Sequence, residues 1–255
     1  MKQFNFNSLK WQLEGKDLSF GDLVVEIGQG FLHAPYKKGT LEAGGKEKLI
    51  VNFSQFDCFT FVETFLALSH CSVVGRISPR EFRRMLQFIR YRHGIITGYS
   101  SRLHYFTDWL RDNEQKKIVG DISSRLGGEP RRKKINYMTA HRSSYPALKS
   151  ENEFQKMLIV EKNLSRKTFC VIKKNKVNQQ KEKIKTGDIV AFVTEQEGLD
   201  VVHVGFALWK GKNLHLLQAS SKEGGVLISK KTLVTYLKQN KKFTSIIVAR
   251  PLSVI

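Results

Sequence analysis

Apolar and polar positions change their rhythm along this 255-residue chain. Residues 60–68 are apolar almost all round, as a helix enclosed by protein would be. Upstream, residues 17–31 repeat with helical spacing and turn Leu18, Leu23, Ile27 and Phe31 inward. A turn-rich stretch over 33–42, followed by Gly44-Gly45, separates the two. Ser78 and Pro79 open a further helix over 79–89, since proline suits the first helical position. Residues 91–101 are glycine-broken and polar-aromatic, which predicts a loop. Residues 104–115 predict a helix with Tyr105, Trp109 and Leu110 on its buried face.

Residues 117–148 are irregular, with strand-like runs at 118–122 and 135–138, and a helix over 151–163 leads into a strand at 168–173. Beyond a turn at 184–188 the period drops to two. Strands are predicted at 189–194, 201–209, 214–219 and 244–250, with one helix at 231–239. Helices first and antiparallel strands last is the α+β pattern. One domain over 1–255 is expected, with 114–163 as an insertion within it.

Composition changes this picture little; charge changes it more. The hydrophobic share of 41% is ordinary for a folded protein, and no apolar run approaches the ~20 residues that span a bilayer. Residues 1–28 carry no signal-peptide core, so a start at Met1 implies the cytoplasm. The net charge is +20, from 43 basic and 23 acidic residues. Basic residues concentrate in Arg131-Arg132-Lys133-Lys134 and across 162–185 and 230–242. Such a balance favours anionic partners or a simple solvated lysine surface. No zinc-finger spacing or RNA-recognition pattern accompanies it, so no specific nucleic acid is expected. Cysteines number three, too few for a disulfide framework, and no CxxC or HExxH spacing occurs. No metal or other cofactor is expected.

The candidate chemistry starts at Asp57-Cys58-Phe59-Thr60. Ser54 or Asp57 can cap the buried helix, and Cys58 stands at its head, where the helix dipole favours a thiolate. The competing reading is an inert packed thiol, as expected for Cys71 and Cys170. A nucleophile needs a base held by a third polar group. Of seven histidines, His203 lies inside the apolar strand Val201-Val202-His203-Val204-Gly205-Phe206, where a core histidine bonded to a carbonyl is the alternative. Taking Lys210-Gly211 as a two-residue hairpin turn pairs Trp209 with Lys212 and, counting back, His203 with Gln218. His215 then points to the other face. Glu63 is expected to hold backbone or Arg102.

The order cysteine, histidine, side-chain amide recurs in papain-like enzymes. Asp57-Cys58-Phe59-Thr60, Lys185-Thr186-Gly187-Asp188, His203-Val204-Gly205 and Gln218-Ala219-Ser220-Ser221 resemble the NlpC-type cell-wall cysteine peptidases. Phe31-Leu32-His33-Ala34-Pro35-Tyr36, Gly39-Thr40-Leu41-Glu42, Tyr91-Arg92-His93-Gly94, Ser101-Arg102-Leu103-His104-Tyr105 and Tyr145-Pro146-Ala147-Leu148 extend the likeness. Together they resemble the N-acetylmuramoyl-L-alanine amidase-like branch.

That resemblance implies a papain-like core, with the nucleophile helix packed on an antiparallel sheet and helices and loops added. It implies hydrolysis of the amide between muramic acid and L-alanine in soluble peptidoglycan fragments, in the periplasm or outside the cell; a monomer is expected. It makes Cys58 the nucleophile, His203 the base and Gln218 the third member, with Tyr36 as a phenolic donor and Asp57 beside it on the substrate side. Two positions depart from the pattern: Gln218, where histidine is common, and His33, where glycine is usual. Arg92 and Arg102 become candidates for gripping carboxylates or sugar hydroxyls. Tyr91, Tyr99, His104 and Tyr105 become candidates for stacking on sugars. Two other readings compete with the amidase. One is a γ-D-glutamyl-diaminopimelate endopeptidase with the same machinery; the other is a non-catalytic basic protein that binds cell wall or nucleic acid.

Overall fold

The structure is a computed structural model and describes residues 4–42 and 45–253. Met1, on which the compartment expectation rests, and Gly44 of the glycine turn lie outside the described residues. The helical part comprises α1 (Phe6–Leu13), α2 (Phe20–Gln29), α3 (Cys58–Val73), α4 (Pro79–Arg90) and α5 (Phe106–Gln115). The middle carries β1 (Val119–Asp121), β2 (Glu129–Arg131), α6 (Tyr137–Ala140), α7 (Glu151–Ser165), β3 (Phe169–Lys173) and α8 (Val177–Gln180). Then follow β4 (Ile189–Thr194), β5 (Val201–Lys210), β6 (Asn213–Ser220), β7 (Gly225–Ile228), α9 (Leu233–Gln239) and β8 (Phe243–Pro251). The α+β class is as the sequence predicts.

Strands run across the sheet in the order β2-β3-β8-β4-β5-β6-β7, with β1 also on β8, and neighbouring strands are antiparallel. Alternation along β4 sends Ile189, Ala191 and Val193 into a core shared with α2 and α3. Val190 and Phe192 enter a second core beneath α9. β4 is therefore buried on both faces, which its unbroken apolar run requires. A third, smaller cluster joins Tyr99 and Tyr105 to Met138, Leu148 and Met157 of the middle segment.

Glycine sets how α2 docks. A Cβ on Gly21 would lie 2.2 Å from the Thr186 carbonyl oxygen, and one on Gly187 would lie 2.3 Å from the Gly21 Cα. Gly187 also sits at φ +85°, the left-handed region that favours glycine. Asp188 closes the same turn, accepting from the Lys185 backbone and from Arg250 through both oxygens at 2.8 Å. The Lys185-Thr186-Gly187-Asp188 motif thus fastens a helix to the sheet.

Several boundaries differ from the sequence reading. Leu18 is 37% exposed, because Ser19 caps α2 and the helix starts only at Phe20. Asn5 caps α1, an element the pattern did not predict. Residues 135–138 do not form a strand: the Asn136 and Tyr137 amides both donate to the Gly198 carbonyl, and Tyr137 opens α6. The hairpin after β5 turns at Gly211-Lys212, so that Lys210 pairs with Asn213. Gly211 takes φ +56° at the first turn position, as a type II′ turn needs. The β5–β6 register is therefore two residues away from the count that set His203 opposite Gln218.

Candidate active site

The capping box that starts α3 also determines where Cys58 points. Asp57 Oδ1 accepts from the Phe59 and Thr60 amides at 3.0 and 2.8 Å, and Thr60 Oγ1 accepts from the Asp57 amide at 3.0 Å. Asp57, rather than Ser54, is the cap, and its carboxylate is spent on the helix head. Such a cap contributes about 1 kcal/mol. Thr60 to Cys71 are buried behind it, so the helix head is held rigidly.

Helix-head placement does not make the thiol acidic. Burial first, and the Asp57 charge second, push Cys58 up to about 12. Amide donors at Val204, Cys58 and Phe59 oppose that rise without overcoming it. The expected thiolate is corrected: desolvation outweighs the helix dipole here. The Phe59 amide is already taken by Asp57, while Val204 directly follows His203 in β5.

His203 leaves its strand on the face of Phe192, its partner on β4, with ring centroids 5.6 Å apart. Its Nε2 lies 2.5 Å from Gln218 Oε1. An amide oxygen accepts, so Nε2 carries the proton and the Nδ1 lone pair is basic, a tautomer assigned from the partner. Burial lowers the His203 pKa and the Gln218 bond opposes this. Burial thus favours the neutral form of both the imidazole and the thiol. No hydrogen bond joins Cys58 to His203 among the described residues.

Gln218 reaches His203 in spite of the altered register because a slip of two preserves the face. Continuing the β5–β6 pairing from Phe206 and Leu217 puts Gly205 opposite Gln218, and His203 then lies on the diagonal. A Cβ at Gly205 would lie 3.1 Å from the Gln218 Cβ and 3.0 Å from the Leu217 oxygen. Glycine there leaves the space across which the amide reaches. His215 turns away, its Nδ1 at 2.8 Å from the Ser229 carbonyl.

Two tyrosines flank the group. Tyr36 bridges to Phe56, and its hydroxyl is pushed up to about 12 by burial, then by Cys58 and Asp57. Tyr236, on α9, was not singled out in the sequence. Its ring lies 6.4 Å from that of His203. Burial raises its hydroxyl pKa. Only tertiary packing brings α9 to this point; a tyrosine on a short amphipathic helix carries no signal of it.

The remaining candidates are engaged by side chains and carbonyls of the protein itself. Arg102, 4% exposed, donates to Glu42 at 2.7 Å and to the Leu41 carbonyl at 3.2 Å, over the Tyr99 ring. Arg92 forms a fork on Asp108 at 3.0 and 2.6 Å. Tyr91 donates to Glu47, Tyr99 to Glu42 and Tyr105 to Glu161, at 2.7, 3.1 and 2.6 Å. His104 Nε2 lies 2.9 Å from the Tyr99 carbonyl. Glu63 holds Arg90 at 2.7 Å, not Arg102. Among the described residues no cluster of three His, Cys, Asp or Glu side chains is arranged to hold a metal ion. No described helix is long and apolar enough to cross a membrane.

Comparison with known proteins shows the family and the fold. A family model described as N-acetylmuramoyl-L-alanine amidase-like matches residues 26–246. The crystal structure of an N-acetylmuramoyl-L-alanine amidase from Bacteroides uniformis is 37% identical, covering 92% of this chain and 99% of that one, with a TM-score of 0.87. A Bacteroides fragilis protein described as a candidate xylanase is 40% identical over 88% of this chain and 99% of its own, with a TM-score of 0.84. A Legionella pneumophila protein shares the fold at 21% identity and a TM-score of 0.74, over 97% of this chain and 93% of its own. No curated protein matches the chain.

Proposed function

We propose that this chain, which belongs to the N-acetylmuramoyl-L-alanine amidase-like family, is a cysteine amidase with a papain-like, NlpC-type core. Its substrate is the amide between muramic or anhydro-muramic acid and L-alanine in soluble peptidoglycan fragments. It acts as one domain over 1–255, with 114–163 inserted, and as a monomer. The observation that carries this reading is the Nε2–Oε1 contact of 2.5 Å, which frees His203 Nδ1 as a base on β5, the strand whose Val204 backbone acts to lower the Cys58 pKa.

His203 Nδ1 takes the thiol proton as Cys58 sulfur attacks the lactyl carbonyl carbon. The C–S bond forms and the carbonyl oxygen becomes an oxyanion, met by the Cys58 amide at the head of α3, since Asp57 takes the Phe59 and Thr60 amides. Each such donor lowers the barrier by roughly 3 kcal/mol. His203 then passes its proton to the alanine nitrogen, the C–N bond breaks, and water resolves the thioester. Tyr36 supplies a further donor, which its raised pKa keeps protonated. Neutral Gln218 orients the ring without stabilising imidazolium by charge. Arg92 and Arg102, each held by carboxylates of the chain, shape the loop that receives the stem peptide.

Glycoside hydrolysis usually needs two carboxyls flanking the bond, whereas Asp57, the acid beside Cys58, is committed to its helix. The test is incubation with defined muropeptides, and with xylan as control, followed by mass spectrometry. Free stem peptide with intact disaccharide is expected. L-Ala-D-Glu fragments would replace the amidase by the endopeptidase, and xylo-oligosaccharides would replace both.

A further inference from the structure

The three basic runs of the sequence, far apart along the chain, each send a residue to one cleft. This cleft, of about 690 Å³, opens at the sheet edge formed by β2, β3, the start of β8 and the end of α9. Arg131 comes from the first run, Lys173 and Lys174 from the second, Lys238 from the third. Glu129 and Glu195 also line it, so four cations face two carboxylates. Those carboxylates are taken: Glu195 pairs with Arg131 at 2.6 Å, and Glu129 with Lys173 and Lys176 at 2.7 Å. Lys174 donates to the Asn240 and Phe243 carbonyls, which orders its ammonium without neutralising it. Lys238 has no ion-pair partner among the described residues.

A second observation comes from a hydroxyl. Ser245, 2% exposed, lines the same cleft, and its Oγ is buried without a hydrogen-bond partner. An orphaned buried hydroxyl is costly unless something arrives to pair with it. Pro130 and Val171 supply an apolar wall beside it. The volume is that of a small-molecule site.

We propose that this cleft is a binding site for a small anionic ligand that carries a carboxylate or phosphate and an apolar or sugar-like face. The anion lies between Lys238 and Lys174 and accepts from Ser245 Oγ, while the apolar face rests on Pro130 and Val171. The site stands two strands from His203, since Val193 of β4 pairs with Ser245 and the adjacent Phe192 pairs with His203. Its occupation requires no bond cleavage, so the site does not depend on the amidase reading.

The experiment is calorimetric titration of the Cys58→Ala protein with citrate, with inorganic phosphate and with a short DNA duplex, at two salt concentrations. Saturable one-to-one binding of a small anion is expected, the tighter of the two naming the headgroup. Lys238→Glu, a surface change, should weaken it more than tenfold. Ser245→Ala should weaken it about tenfold, as loss of a hydrogen bond to a charged group does. It should leave the thermal midpoint unchanged or higher, whereas a hydroxyl with a purely structural role would lower it. Unchanged affinity in both variants overturns the proposal. So does tight DNA binding, with a steep salt slope, in the absence of any saturable small-anion binding.

Discussion

Two polar clusters lie at the head of α3, and they differ in what they leave unspent. Glu63, Arg90, Arg102, Glu42 and Glu47 form a charged network in which donors meet carboxylates at 2.7 to 3.4 Å. Glu63 and Arg90 are almost wholly buried, at 1% and 2% exposure. Cys58, His203 and Gln218 form the other cluster, with neutral groups, one short contact, and a ring nitrogen and a thiol still unpaired. Buried charge demands saturation, because an unpaired ion in a low dielectric costs several kcal/mol. A neutral group can be left half-satisfied at far lower cost, and that spare capacity is what a reaction uses. Scaffold and chemistry here differ in charge: the network pairs every ion, even though Glu63 Oε1 and Arg102 Nε stay without a hydrogen bond, whereas Cys58, His203 and Gln218 are neutral.

The largest effect expected is on turnover. Cys58→Ala should lower muropeptide cleavage by at least ~10⁴-fold while leaving the unfolding midpoint nearly unchanged. Residual cleavage within tenfold of wild type would move the chemistry out of this cluster. In the charged network the order is reversed. Glu63→Ala leaves Arg90 buried and unpaired, and should cost roughly 3–5 kcal/mol in denaturant unfolding. A loss under ~1 kcal/mol would show that water or Glu47 replaces the carboxylate.

Gln218 should behave as a positioning residue. Gln218→Leu should lower kcat about 100-fold with little change in KM, whereas Gln218→His should keep most of it. Its removal also takes away the bond that raises the His203 pKa. Because burial lowers that pKa, the base is neutral above the usual histidine range, and activity falls on acidification only below about pH 6.5. In Gln218→Leu that acid limb should lie at still lower pH. Identical pH profiles in the two proteins would remove Gln218 from the site.

The smallest effect concerns the turn before Tyr36. His33 sits at φ +71°, which explains why glycine suits this position. His33→Gly should leave activity intact and raise stability by about 1 kcal/mol through relieved backbone strain. A fall in stability would mean that the bond from its amide to the Val226 carbonyl is not what holds the turn.

The helix head, the apolar strand bearing His203 and the choice of Gln218 were legible along the chain for a simple reason. They rest on local periods, 3.6 in α3 and two in β5 and β6. Even the wrong hairpin register kept the right partner, since an error of two leaves a side chain on its face. The likeness to the N-acetylmuramoyl-L-alanine amidase-like family rested on runs of the same kind, and the match over 26–246 bears out that family.

Other features depend on distance in space. The raised Cys58 pKa comes from desolvation, a sum over everything packed around the sulfur. Arg92 and Arg102 read as substrate grips until Asp108 and Glu42 came within 2.7 Å or less of their guanidinium groups. Tyr236 reached the site only because α9 folds back over β6. Three basic runs became one cleft only because β2, β3 and α9 meet at one sheet edge. A sequence determines which groups exist and which face of their own element they share. Solvation and pairing depend on neighbours distant along the chain, so those were decided by the tertiary structure alone.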